Sequence, residues 1–154
     1  MGAHQFTLRQ ELPVQLDELW AFISSPHNLQ KITPPDMDFK VVTQDLPLNM
    51  YPGMIIKYHV RPIWGLRTTW VTEITHVKEL QYFVDEQRSG PYRMWHHEHR
   101  LVPNSNGVEM VDTITYIPPF GIIGILANRF LIKRKLEKIF KYRRMVLEGM
   151  FGAS

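Results

Sequence analysis

Six consecutive segments of β-forming residues, spread over 39–117, are followed directly by a stretch with helical apolar spacing over 121–151. The segments read FKVVTQ, MIIKYHVRP, LRTTWVTEITHV, QYFVDEQ, YRMWHHEHRLV and VEMVDTITYI. Each is rich in β-branched or aromatic residues, and turn signals separate them: Pro52-Gly53, Gly65, Gly90-Pro91 and the run PNSNG ahead of Val108. Connections this short imply antiparallel pairing, because a parallel crossover needs about a dozen residues or more. In the closing stretch Ile122, Ile125, Leu126, Ile132, Leu136, Ile139, Phe140, Val146, Leu147 and Met150 recur at three- and four-residue steps, which is the pattern of a helix with one apolar face. A sheet of this size must bury one of its own faces, and no other segment is long enough to cover it.

The N-terminal third completes the element order. HQFTLRQEL alternates and reads as a first strand, while LDELWAFISS places Leu16, Leu19, Trp20 and Ile23 at helical spacing before Pro26. A second short helix, HNLQKIT, is expected to stop before Pro34 and Pro35, since a residue preceding proline avoids the α region. The expected fold is therefore α+β: a seven-stranded curved antiparallel sheet gripping a long C-terminal helix, with two short helices after the first strand. At 154 residues and 44% hydrophobic content, one domain over 1–154 can bury a core of its own. The start carries neither a basic n-region nor an apolar h-region, no run approaches the length of a membrane span, and there is no cysteine. Those features point to a soluble cytoplasmic protein and exclude disulfide and thiolate chemistry.

The net charge of +3 is unevenly placed. Arg129, Lys133, Arg134, Lys135, Lys138, Lys141, Arg143 and Arg144 face a single acid, Glu137, in the same segment, leaving ten basic and fourteen acidic groups elsewhere. This helix has two readings: a surface for phosphates or a membrane face, or a solvated face whose cations favour the C-terminal end of the helix dipole. The solvated face is the expected one, with at most weak membrane-surface contact. No nucleic-acid motif is present, and no nucleic-acid partner is expected.

The stretch YRMWHHEHRL looks like a cluster of imidazoles, but strand geometry divides it. Trp95, His97, His99 and Leu101 share one face, and Met94, His96, Glu98 and Arg100 share the other. The first set holds the large apolar residues and should face the helix. Its neighbours sort alike, with Phe83, Asp85 and Gln87 on one strand and Met110, Asp112, Ile114 and Tyr116 on the next. Three functional readings follow. A metal would need His97 and His99 with Asp85 or Asp112, yet no further inward histidine is evident, and neither metal nor cofactor is expected. Acid–base catalysis would use His97 or His99 with Asp85, although no nucleophile, phosphate-loop or dinucleotide motif accompanies them. A binding pocket would set Asp85, Gln87, His97, His99 and Asp112 among walls formed by Trp70, Phe83, Trp95 and Tyr116, with Trp20 contributing. Alternatively, the polar groups satisfy one another and fix strand register.

The element order, together with Phe83-x-Asp85-x-Gln87, Gly90-Pro91, Trp95-x-His97-x-His99 and Asp112-x-x-x-Tyr116, resembles the START-like (SRPBCC) helix-grip superfamily. That group includes polyketide cyclases and dehydrases, the major birch pollen allergen and plant abscisic-acid receptors, and the motifs are most similar to its bacterial ligand-binding branch. The resemblance implies a cavity between sheet and helix that takes a small apolar or amphipathic molecule. Loops such as PLNMYPGM (47–54) and YIPPFGIIG (116–124) border the mouth in such folds, although simple turn chemistry, with Pro119 ending the last strand and Gly121 opening the helix, is the expected reading of both. The enzymatic alternative it implies is a cyclase, dehydratase or isomerase. Leu101 stands where an aromatic residue is expected, which would widen the pocket locally.

Overall fold

The structure is a computed structural model that describes residues 2–61, 65–119 and 131–153. Strand β1 (His4–Leu12) leads into helix α1 (Leu16–Ile23) and two 3₁₀ turns at Pro26–Asn28 and Pro35–Met37. Then come β2 (Lys40–Val41), β3 (Met54–Val60), β4 (Thr68–Lys78), β5 (Tyr82–Ser89), β6 (Met94–Asn104), β7 (Gly107–Ile117) and the C-terminal helix α2 (Lys133–Phe151). All seven strands form one antiparallel sheet in the order β1-β7-β6-β5-β4-β3-β2. Strands β2 to β7 are a meander, and β1 joins its far edge by pairing with β7 from His4↔Tyr116 to Leu12↔Val108. Register shifts between Val71 and Thr72 and between Ile74 and His76 interrupt the β4–β5 ladder. Such irregularities bend a strand and increase its twist, which lets a sheet wrap around a helix.

Two local expectations take a different form. Residues 26–33 make 3₁₀-type bonds rather than an α-helix, from the amides of Leu29, Lys31 and Thr33 to the carbonyls of Pro26, Asn28 and Gln30. Seven residues between Pro26 and Pro34 are too few for a cooperative α-helix, and Thr33 precedes Pro34. The FKVVTQ segment pairs only through Lys40 and Val41, because the amides of Val42 and Thr43 both turn to the Lys57 carbonyl, at 2.8 and 3.2 Å.

Helix α2 covers the inner face of the sheet with Leu136, Phe140, Arg143 and Leu147, continuing the line of buried Ile132 just ahead of it. The steps of three and four place all five on one stripe. Arg143, counted from sequence among the solvated cations, thus belongs to the buried face, while Lys133, Arg134, Lys138, Lys141 and Arg144 are exposed. Met150, expected on the apolar face, is exposed. The segment 121–130, with Ile122, Ile125, Leu126 and Arg129, and the end of the YIPPFGIIG loop lie outside the described residues.

Among the described residues the core has two apolar clusters. One joins Leu19, Trp20 and Ile23 of α1 to Phe83, Leu101, Met110 and Leu147; the other joins Trp70, Tyr92, Trp95 and Tyr116 to Leu136 and Phe140.

Candidate functional site

Strand register builds a polar checkerboard between these two clusters. Across β5, β6, β7 and β1, one row reads Asp85, His97, Ile114, Phe6 and the next reads Phe83, His99, Asp112, Leu8. Same-face neighbours along a strand are about 7 Å apart, so the two imidazoles sit between two diagonally placed carboxylates. His97 Nε2 is 3.0 Å from Asp112 Oδ1 and its Nδ1 is 3.5 Å from Asp85 Oδ2. His99 Nε2 is 2.8 Å from Asp85 Oδ2 and its Nδ1 is 2.8 Å from Asp112 Oδ1. The rings lie 3.7 Å apart between centroids, and His99 stacks on Phe83 at 4.2 Å. On the opposite face His96 is half exposed, its Nε2 3.9 Å from Glu86, so the sequence-based split of HHEH holds.

Arg143 completes the group from α2. Its Nη1 lies 3.6 Å from Asp112 Oδ1 and its Nη2 lies 3.3 Å from His99 Nδ1. His97, His99, Asp112 and Arg143 are 5%, 4%, 5% and 8% exposed, so water screens none of these contacts effectively. Burial opposes ionisation of all four titrating groups, and the outcome differs by partner. For His97 burial dominates, the adjacent His99 charge adds to it, and the imidazole falls to about 4. For His99 burial is outweighed by the contacts with Asp112 and Asp85, and its pKa rises. Burial would lift Asp85, but His97, His99 and Arg143 lower it; Arg143 and both histidines likewise hold Asp112 well below the usual carboxylate range. At neutral pH Asp85 and Asp112 are carboxylates and His97 is neutral, and His99, its pKa raised, is the imidazole that holds a proton more readily. His99 Nδ1 lies 2.8 Å from Asp112 Oδ1 and 3.3 Å from Arg143 Nη2, so when protonated it donates to Asp112 and when unprotonated it accepts from Arg143.

A cavity of about 160 Å³ lies beside this network, between α2 and strands β3 to β6. Met37, Ile56, Val60, Trp70, Trp95 and Phe140 are among its apolar walls, and Asp85, His97 and Arg143 reach it as polar groups. Leu29, Thr33, Phe39 and Ile139 also line it and are only half buried, which places its mouth between the 3₁₀ segment and α2. Next to the lining residues Met37, Leu136 and Ile139, Asp36 binds Lys135 Nζ at 3.3 Å and Lys138 Nζ at 2.7 Å.

Of the residues singled out from sequence, Trp70, Asp85, Trp95 and His97 line the cavity. His99, Asp112 and Phe83 stand in the next row, behind His97. Tyr116 packs against Trp95 and Tyr92 in the second apolar cluster. Gln87 clamps the Gly90-Pro91 turn instead: its amide donates to the Tyr92 carbonyl at 2.6 Å and accepts from the Tyr92 amide at 3.1 Å. Trp20 packs edge-on against Phe83 in the core, and Leu101 lies in that same cluster rather than widening the cavity. Of the two loops that border the mouth in such folds, PLNMYPGM contributes Met50 to the lining. Sequence reading passed over Arg143, Tyr58 and Tyr92. The signal for Arg143 was its place in the 136, 140, 143, 147 stripe, opposite an inward carboxylate.

Asp85, His97 and His99 bring three donor atoms within 4.8 Å of one another. In the arrangement observed the imidazole nitrogens already face carboxylates, so a cation there would have to displace the His99 proton.

No protein-family model matches the chain, and no curated protein matches it in sequence. Solved structures match in fold. A Chromobacterium violaceum protein is 13% identical with a TM-score of 0.72, covering 97% of this chain and 99% of its own. A Mycobacterium smegmatis protein is 18% identical with a TM-score of 0.66, covering 95% and 92%. Ginseng major latex-like protein 151 from Panax ginseng is 10% identical with a TM-score of 0.70, covering 97% of each chain. Identities this low establish the fold alone, which is the helix-grip fold expected from the element order.

Proposed function

We propose that the protein binds a small, largely apolar molecule in the cavity between sheet and C-terminal helix, anchored at the wall formed by Asp85, His97 and Arg143. The observation that carries this is the pairing of an apolar, accessible cavity with ionisable groups at one side, the usual composition of a small-molecule site. Its volume of about 160 Å³ is near that of an apolar cavity known to admit benzene, ~150 Å³, and below the ~300 Å³ where drug-sized pockets begin. A single ring or a short chain is the matching size. Among the described residues no helix is long and apolar enough to cross a membrane. A cytoplasmic site of binding is part of the same proposal.

Native mass spectrometry of protein purified without denaturation from its own source tests this. A co-eluting small molecule is expected with the natural sequence, and none with Ile56→Trp, which fills the cavity. Equal masses for both, with no bound species, would remove the reading.

Acid–base chemistry of the cyclase, dehydratase or isomerase type is the second reading, with His97 or His99 and Asp85 as the pair. It is favoured by one observation: His97, held neutral at the cavity wall, is linked through Asp112 to His99, whose pKa is raised by its two carboxylate neighbours. A neutral imidazole can accept a proton, and its partner can re-donate one. If His97→Ala and Asp85→Asn keep ligand affinity but abolish turnover of a candidate substrate, catalysis replaces binding as the function.

A further inference from the structure

Trp70 Nε1 and Arg143 Nε, on two residues that line the cavity, are buried N–H groups with no hydrogen-bond partner among the described residues. A buried donor left unpaired costs stability, so an orphan at a cavity wall marks where an acceptor belongs. Asp85 offers the complementary half. Every contact of its carboxylate among the described residues runs through Oδ2, to His97 and His99, which leaves Oδ1 to take a proton donor. Asp85 and Arg143 both line the cavity together with His97, so an acceptor and a donor belong to its polar wall.

Resting on the apolar-ligand reading above, we propose that the ligand is a neutral one-ring phenol bearing a second, acceptor-only oxygen. Its hydroxyl accepts from Arg143 and donates to Asp85, and the second oxygen accepts from Trp70. Three features select this class. A hydroxyl is the one small neutral oxygen group that satisfies a donor and an acceptor together. Asp85 and Asp112 are already carboxylates, so a ligand carboxylate would place a third negative charge beside Asp85 in a poorly hydrated site. The surrounding rings of Trp70, Trp95, Tyr92, Tyr58 and Phe140 suit a flat aromatic body, and the volume admits one ring. The two orphan donors are separated along the sheet: Trp70 precedes Thr72 and Ile74 on the inner face of β4, and Ile74 is the residue paired with Asp85. The ligand's two oxygens therefore belong at opposite ends of the ring.

Calorimetric titration of the full chain with four probes tests this: 4-hydroxyacetophenone, 4-ethylphenol, ethylbenzene and 4-hydroxybenzoate. The expected order is 4-hydroxyacetophenone tightest, 4-ethylphenol about tenfold weaker, then ethylbenzene and 4-hydroxybenzoate weaker again by a similar factor. Trp70→Phe should erase the advantage of 4-hydroxyacetophenone over 4-ethylphenol and leave 4-ethylphenol itself within about twofold. Arg143→Met should bring 4-ethylphenol down to the level of ethylbenzene. If Arg143→Met does not fold, the Trp70→Phe comparison alone decides. Ethylbenzene binding as tightly as the phenols, or 4-hydroxybenzoate binding best, overturns the phenol class while leaving apolar binding intact. Failure of all four probes to bind overturns both.

Discussion

Asp112 faces both imidazoles and Arg143, so it is the residue whose loss strands the most buried charge. Replacing Asp112 with Ala is expected to cost about 3–5 kcal/mol in urea unfolding, the range for breaking a buried pair from one side. Glu98→Ala on the outer face, where Glu98 meets half-exposed Arg100, should cost no more than about 1 kcal/mol. The histidines predict a pH optimum for stability. The folded value of His97 lies near 4, below its unfolded 6.5, so between those values the unfolded chain holds the extra proton and stability rises with pH. The folded value of His99 is raised, so its contribution is complete below 6.5 and is lost as pH climbs through that raised value. Asp85 and Asp112, both lowered, contribute fully above 3.8 and lose that contribution as pH falls toward their folded values. The urea midpoint should therefore peak near pH 6.5 and fall on both sides; a midpoint flat from about pH 4 to 9 contradicts the assignment. The inward set was legible because a period of two assigns faces without further information. Arg143 was not, because within a run of cations a residue's type does not tell which face it occupies. Only the helical stripe, read against the inward carboxylate, singles it out.

At the scale of elements, the hairpin joining β6 and β7 sets the register that aligns His97 and His99 with Asp112. Gly107 in that hairpin has φ +140, and a Cβ there would come within 2.1 Å of the Leu12 carbonyl oxygen. Gly107→Ala is therefore expected to destabilise by about 2 kcal/mol or more, measurable by thermal unfolding. The contact between the 3₁₀ turn at Pro35–Met37 and α2 predicts a kinetic effect instead. Asp36 is half exposed, so Asp36→Ala should change stability by less than about 1 kcal/mol. It should nonetheless speed ligand release several-fold, as seen by stopped-flow, and more so at low salt, where the ion pairs are strongest. Strands were legible from alternation and β-branched content, since both follow from the sheet's own geometry. The short segment after α1 was harder. HNLQKIT has helical composition, but its length between prolines selects 3₁₀ geometry, and edge strand β2 is cut short where two amides share one carbonyl.

Across the whole molecule, the order of elements determines the architecture because a meander of this width has one partner able to cover it. The gap between sheet and helix is then set by side-chain volume, which pattern alone does not reveal. Gln87 illustrates the difference: it alternates inward with Asp85, yet the neighbouring turn takes both ends of its amide. Entry of a small molecule into the gap can be followed by methyl NMR during titration with 4-ethylphenol. The account predicts saturable shifts in the methyl groups of Met37, Met50, Ile56, Leu136 and Ile139, which line the cavity, with Met145 and Met150, exposed on α2, unmoved. Shifts confined to the exposed methionines, or none that saturate, would contradict it.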